Sequence, residues 1–181
     1  KSKTLIQLSW ETAKTVKGIA NIYIATNNLD IKETAESFGA KVIMTSSECK
    51  NGTERCAEAV QIEDIQDEII INFQGDAPLT PKSFVENLIK TMKSDKTVNV
   101  ATPILQCTSS HFSQLLDDRK NNRAGATTVV FDNNYDALYF SKQVIPYFNT
   151  EKIKNIKLLP TYHHVGVYAF RKDTLDQYNY W

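Results

Sequence analysis

Apolar positions along the chain switch repeatedly between a helical and an extended spacing. Leu5, Ile6, Leu8, Ala13 and Val16 outline one face of an amphipathic helix that ends near Gly18, and residues 22–26 follow as a short strand closed by Asn27 and Asn28. The same reading predicts a helix over 29–38 before Gly39, a strand over 41–44, a helix over 53–62 and a strand over 69–73. A helix over 83–92, an extended stretch over 98–104 and a short polar helix over 109–116 come next, with 117–123 as a mobile charged loop. Residues 127–131 and 137–140, joined by Asp132, Asn133 and Asn134, read as a β-hairpin, and 162–170 as one further strand.

This βαβα rhythm predicts an α/β fold: a mostly parallel sheet with helices on both faces and an antiparallel β addition near the C-terminus. The chain of 181 residues is the size of one domain. Its 21 Lys and Arg balance 21 Asp and Glu, which argues against a nucleic-acid footprint or attraction to an anionic membrane. No apolar run approaches the roughly 20 residues of a membrane span, and the first residues lack the order of a signal peptide, so a cytoplasmic protein is expected. Cys49, Cys56 and Cys107 have neither the number nor the spacing of a disulfide framework or a zinc site.

Three clusters carry candidate chemistry. The run from Ile69 to Phe73 ends in Gln74-Gly75-Asp76-Ala77-Pro78, which sets a carboxylate at the end of a buried strand, where ligands of open α/β sheets collect. Gly75 allows a ligand to approach the backbone there, and Asp76 reads equally as a ligand group and as a turn cap. Asn51-Gly52-Thr53-Glu54-Arg55 precedes a helix, where free N–H groups can hold an anion or the edge of a base and Arg55 offers a fork suited to phosphate. In a βαβα order both turns open on the same sheet edge. The third cluster is residues 162–170, where alternation puts His164, Gly166, Tyr168 and Phe170 on one face and His163 on the other. His164 and Tyr168 across a glycine suit a sugar-binding wall, and the same pattern describes a half-buried aromatic strand.

Residues 51–58, then 72–78, then Ala137-Leu138-Tyr139-Phe140-Ser141-Lys142 with Ile145-Pro146, then His164-Val165-Gly166-Val167-Tyr168, stand in the order seen in 3-deoxy-manno-octulosonate (Kdo) cytidylyltransferases, which the chain resembles over nearly its whole length. The resemblance implies the three-layer α/β/α sandwich of nucleotide-diphospho-sugar transferases. It also implies a Mg²⁺-dependent reaction in which the anomeric hydroxyl of Kdo, a 2-keto-3-deoxy sugar acid, attacks the α-phosphorus of CTP and releases pyrophosphate for lipopolysaccharide synthesis. On the matching positions Asp76 would bind Mg²⁺ and act in catalysis. Gly52, Thr53, Arg55, Gln74 and Asp76 would contact the nucleotide, and Tyr139, Ser141, His164 and Tyr168 the sugar.

The family opens with a strand and a triphosphate-gripping loop that precede the position of Lys1, and it continues past Trp181 to a later sugar-contacting helix and a second metal-binding aspartate. The expectation is therefore a single cytidylyltransferase-like domain over 1–181, incomplete at both ends. Its nucleotide side would run to about residue 108 and its sugar-binding and dimer side over about 124–181, the whole forming a homodimer. These residues alone would turn over CTP poorly. Asn51, Ala77 and Lys142 stand where the family usually has Ser, Glu and Arg. A CMP-sialate-type synthetase, a non-catalytic nucleotide- or sugar-binding remnant and a glycosyltransferase are the alternatives.

Overall fold

The computed structural model describes residues 3–123, 125–149 and 156–178. In chain order its elements are α1 (Leu5–Lys14), β1 (Tyr23–Thr26), α2 (Leu29–Ser37), β2 (Lys41–Met44), α3 (Gly52–Ile62), β3 (Ile69–Phe73), α4 (Lys82–Ser94) and β4 (Val100–Ala101). There follow β5 (Ile104–Thr108), α5 (Ser109–Lys120), β6 (Thr127–Phe131), β7 (Ala137–Ser141) and β8 (Leu158–His164), then β9 (Val167–Arg171) and α6 (Lys172–Gln177). The predicted α/β class holds, and most predicted elements appear within a few residues of their expected bounds.

Two compact units divide the chain: Lys1–Ala101 with Gly166–Trp181, and Thr102–Val165. The second unit is an insertion, and the chain rejoins the first at Gly166. Among the described residues no helix is long and apolar enough to cross a membrane.

In the first unit, local signals start the helices as polar caps should. Thr4 Oγ1 accepts from Gln7 N at 3.4 Å for α1, and Asn28 Oδ1 from Ile31 N at 3.0 Å for α2. Helix α4 begins after Pro81, whose fixed φ suits a helix start, and buries Val85, Leu88, Ile89 and Met92 at the i, i+3, i+4, i+7 spacing of a single apolar stripe. Strands β1 and β2 pair in parallel, Tyr23 opposite Lys41 through Thr26 opposite Met44. Strand β9 lies antiparallel between β3 and β4. The expectation of a mostly parallel sheet is thus met among the described pairings only by β1 and β2. The periodicity could not show that β9 comes back from the insertion running against β3.

Arg171 fastens this unit. It is 8% exposed, pairs with Glu68 at 2.7 Å, and donates to the carbonyls of Met92, Asp95 and Val98, so one guanidinium ties the start of β3 to the end of α4 and the approach to β4. One apolar cluster joins Ala57 and Val60 of α3 to Phe170 and Leu175, and a second joins Ile24, Ala35 and Ala40 with Trp10 and Phe38 around them.

The second unit is a four-stranded antiparallel sheet in the order β5-β8-β6-β7, with α5 packed on β5 and β8. Cys107, Phe112, Leu115 and Leu159 form its core. The β6–β7 hairpin appears as expected. Helix α5 continues to Lys120, beyond the predicted end at 116, and takes up part of the charged stretch read as a mobile loop. Arg123 pairs with Asp117 at 2.8 Å and Asp118 at 3.0 Å.

The predicted strand over 162–170 is two strands in different units. Strand β8 ends at His164, β9 starts at Val167, and Val165 N donates to Pro103 O at 3.0 Å while Thr102 Oγ1 donates to Val165 O at 3.1 Å. The predicted extension over 98–104 breaks likewise, at Thr102-Pro103. Neither break is marked by a cluster of turn residues, which is why the apolar pattern reads straight through both.

Candidate functional site

In the first unit the start of α3 meets the end of β3, as the shared-edge argument anticipates. The local sequence builds a reciprocal cap. Asn51 Oδ1 accepts from Thr53 N and Glu54 N, each at 2.9 Å, while Glu54 accepts from Asn51 Nδ2 at 2.9 Å and Lys50 N at 2.7 Å. Arg55 N donates to Asn51 O at 3.2 Å. The helix-start N–H groups expected to await an anion are therefore already engaged from Thr53 to Arg55. Arg55 is partly engaged as well, with Nη1 donating to Thr45 Oγ1 at 2.5 Å and to Ser46 O at 3.3 Å; Nε and Nη2 make no hydrogen bond among the described residues.

The polar groups that face one another across this edge are Thr53, Asn72 and Gln74. Asn72 Nδ2 donates to Thr53 Oγ1 and Gln74 Nε2 donates to Asn72 Oδ1, both at 3.4 Å. A Cβ on Gly52 would lie 3.3 Å from Gln74 Nε2 and 3.4 Å from Gln74 Oε1, so the amide rests against the bare glycine. Asn72 was not among the expected site residues. It could have been found, because an amide inside Ile69-Ile70-Ile71-Asn72-Phe73 is a polar group in a buried strand and such groups need partners.

Beyond Gln74 the chain turns under α1. Ser9 Oγ donates to Gly75 O at 2.7 Å and Thr12 Oγ1 to Pro78 O at 3.0 Å, pinning the turn to the helix. A Cβ on Gly75 would meet Ile6 Cδ1 at 3.0 Å, so this glycine eases the close approach of the α1 side chain. Asp76 is exposed, and its carboxylate accepts no hydrogen bond among the described residues, which removes the turn-cap reading. No group of three or more His, Cys, Asp or Glu among the described residues is placed to hold a metal ion. A dication at Asp76 would rest on that one carboxylate and on the phosphates of a ligand, a common arrangement for Mg²⁺.

A cavity of 670 Å³ opens beside this edge and is lined by consecutive residues of β1 and of β3, by α1 and by Gly52, Arg55 and Gln74. Helix α3 packs on both strands, yet among the described residues β1 pairs only with β2 and β3 only with β9. The three thiols are free, as expected. Burial and the Glu58 carboxylate, 2.7 Å away, push Cys49 up to about 11, and burial alone pushes Cys56 up to about 11.

In the second unit the register decides which expected sugar contacts share a face. Ser141 pairs with Thr128 and Thr128 with His163, so Ser141 and Tyr139 stand on the His163 side; His164 lies on the other side with Phe140, rings 5.1 Å apart edge to face. Tyr139 and Ser141 thus lie on the face of this sheet opposite His164, and Tyr168 belongs to β9 of the other unit, so the expected placing of His164 and Tyr168 on one face of one strand does not hold. His164 Nε2 is 2.9 Å from Thr102 Oγ1, and burial, with His163 and Lys142 nearby, holds its imidazole below the usual range. His163, edge-on to His111 at 5.1 Å, is held down by burial and by the His111, Arg119 and Lys142 charges.

Known proteins resemble the chain throughout. The sequence profile described as "Cytidylyltransferase" matches residues 1–181. The chain is 36% identical over 172 residues, 95% of its length, to a 3-deoxy-manno-octulosonate cytidylyltransferase of Maricaulis maris, and 34% identical over 178 residues to an 8-amino-3,8-dideoxy-manno-octulosonate cytidylyltransferase of Shewanella pealeana. It covers 65% and 67% of those two proteins, about two thirds of their length. The solved structure of a CMP:2-keto-3-deoxy-manno-octonic acid synthetase complexed with CTP superposes with a TM-score of 0.81 at 31% identity, covering 99% of this chain and 68% of that one.

Proposed function

Because the chain belongs to the cytidylyltransferase family, we propose that it is the nucleotide- and acceptor-binding part of an enzyme that joins CMP from CTP to a 2-keto-3-deoxy sugar acid, Kdo or its 8-amino analogue. The observation that carries the reading is the edge where Gly52, Thr53 and Gln74 converge, with Asp76 two residues further on exposed and accepting no hydrogen bond among the described residues. Relatives named for both acceptors match at nearly equal identity.

In this reading the anomeric hydroxyl oxygen attacks the α-phosphorus, the bond to the β-phosphate oxygen breaks, pyrophosphate leaves and the hydroxyl proton goes to water. Thr53 and Gln74 bind the nucleotide against Gly52, and the unengaged Nε and Nη2 of Arg55 give it a charged donor. Asp76 would hold Mg²⁺, which would screen the charge of the triphosphate. His164 contributes an acceptor contact in the second unit, and Tyr168 remains a candidate contact in the first.

The β1 and β3 edges that line the cavity suit one further strand, and the family's opening strand has that place in this proposal. It would join the sheets of the first unit into the central layer of an α/β/α sandwich and carry the triphosphate loop to the Gln74 edge. A homodimer through β7 is also proposed, since β7 is an edge strand with Leu138 67% and Tyr139 63% exposed. The enzyme would work in the cytoplasm.

The test is pyrophosphate release by the full-length gene product with CTP, Mg²⁺ and, in separate reactions, Kdo, its 8-amino analogue and a sialic acid. Release with either of the first two supports the proposal, and release with the sialic acid alone overturns its acceptor. A product that binds CTP without any release is the binding-only remnant.

A further inference from the structure

Asn72 and Gln74 stand two residues apart, so alternation puts both side chains on one face of β3 and its continuation. Asn72 is 5% exposed and has an amide whose two ends are both committed: Nδ2 donates to Thr53 Oγ1 and Oδ1 accepts from Gln74 Nε2. That commitment passes along the row. Because Asn72 presents its oxygen, Gln74 must turn its nitrogen inward, and Gln74 Oε1 is left with no hydrogen bond among the described residues at the mouth of the cavity. Gly52, with no Cβ, leaves the space that the amide occupies on its other side.

The Oε1 end of an amide held this way can only accept. The two common pyrimidine nucleotides differ at ring position 4, where cytosine has an amino donor and uracil a carbonyl acceptor. A carbonyl oxygen facing that position bonds the first and meets the second with two acceptors and no proton between them. We propose that Asn72 is a positioning residue that makes Gln74 an acceptor and thereby selects a cytosine over a uracil nucleotide. The inference rests on the proposed nucleotide site and goes beyond it by assigning the choice of base to a residue that need not touch the ligand. Without Asn72, Gln74 can rotate its amide by a half turn and offer Nε2 to a uracil carbonyl, so its preference is lost though its side chain stays.

The experiment is calorimetric titration of the full-length gene product with CTP and with UTP in Mg²⁺ buffer, for the unaltered protein and for Asn72→Ala, Asn72→Val and Asn72→Asp, each checked for an unchanged melting transition. The unaltered protein should prefer CTP by at least about tenfold, as expected when a buried polar group loses its partner. In Asn72→Ala and Asn72→Val that preference should shrink to about threefold or less, with tighter UTP binding making up part of the change. Asn72→Asp keeps an acceptor for Gln74 Nε2 and should keep the preference whatever its affinity. A preference unchanged in any folded variant that lacks the acceptor, or lost in Asn72→Asp as fully as in Asn72→Ala, overturns the assignment. An unaltered protein that binds neither nucleotide overturns the nucleotide site itself, a result separate from either of those.

Discussion

Replacing Gly52 with Ala separates the site from the fold. Positive φ among the described glycines is confined to Gly18 and Gly39, so the Gly52 backbone accepts an alanine without strain. Gly52 is the first residue of α3, where Ala favours the helix and restricts the unfolded chain; stability should hold or rise by up to about 1 kcal/mol. The new methyl would lie 3.3 Å from Gln74 Nε2 and 3.4 Å from Oε1, closer than ordinary contact, and the flexible end of Gln74 would yield before the helix does. The amide then leaves Asn72 and its place at the site. Loss of one such polar contact to a ligand costs about 1–3 kcal/mol, roughly 5- to 150-fold in affinity. Calorimetry with CTP on the full-length gene product, beside a urea titration, reads both quantities. A Gly52→Ala protein of undiminished stability that binds CTP as tightly as the unaltered one would refute the packing argument; one that loses several kcal/mol of stability would show Gly52 to be structural.

Three more outcomes follow from the geometry. Asp76→Asn should keep its melting temperature, since the carboxylate is exposed and bonds nothing among the described residues, while the Mg²⁺ dependence of CTP binding disappears; titrations at several Mg²⁺ concentrations check this. Arg171→Leu should lower stability by about 3 kcal/mol in a urea titration, because it strips partners from three carbonyls and from Glu68 at once, and a loss under about 1 kcal/mol would show the clamp to be dispensable. His163 and His164 are both held neutral below their ordinary value of 6.5, so the unfolded chain takes up protons first as pH falls below that value. Stability should be full above about pH 6.5 and decline below it, and melting temperatures for His163→Gln with His164→Gln should decline less steeply over the same range.

Local signals carried much of this fold. Strand β3 with Gln74 and Asp76, the Asn51 cap of α3 and the β6–β7 hairpin each state their structure through periodicity or turn chemistry within about ten residues. What the pattern could not express was where the chain changes sheets. Val165-Gly166 and Thr102-Pro103 interrupt apolar runs without a turn cluster, so the single strand face that simple alternation gave to His164 and Tyr168 is divided between β8 and β9, which join different sheets. The pairing register, which is long-range information, likewise put Tyr139 and Ser141 on the face opposite His164. The free N–H groups foreseen at the start of α3 were misjudged for the opposite reason: the cap that identified the helix is the group that occupies them. Asn72 was legible as a polar residue in an apolar strand, and only its neighbours reveal that it aligns Gln74.

The central claim, that this protein carries CMP to a sugar acid, is tested most directly by following the phosphorus atoms of CTP. The full-length gene product is incubated with Mg²⁺, Kdo and CTP labelled at either the α- or the γ-phosphorus, and the products are separated. Transfer of CMP puts the α-label in a sugar-linked product and the γ-label in pyrophosphate, in equal amounts. An α-label that stays in CTP or appears only in free CMP, or a γ-label released as single phosphate, would contradict the account.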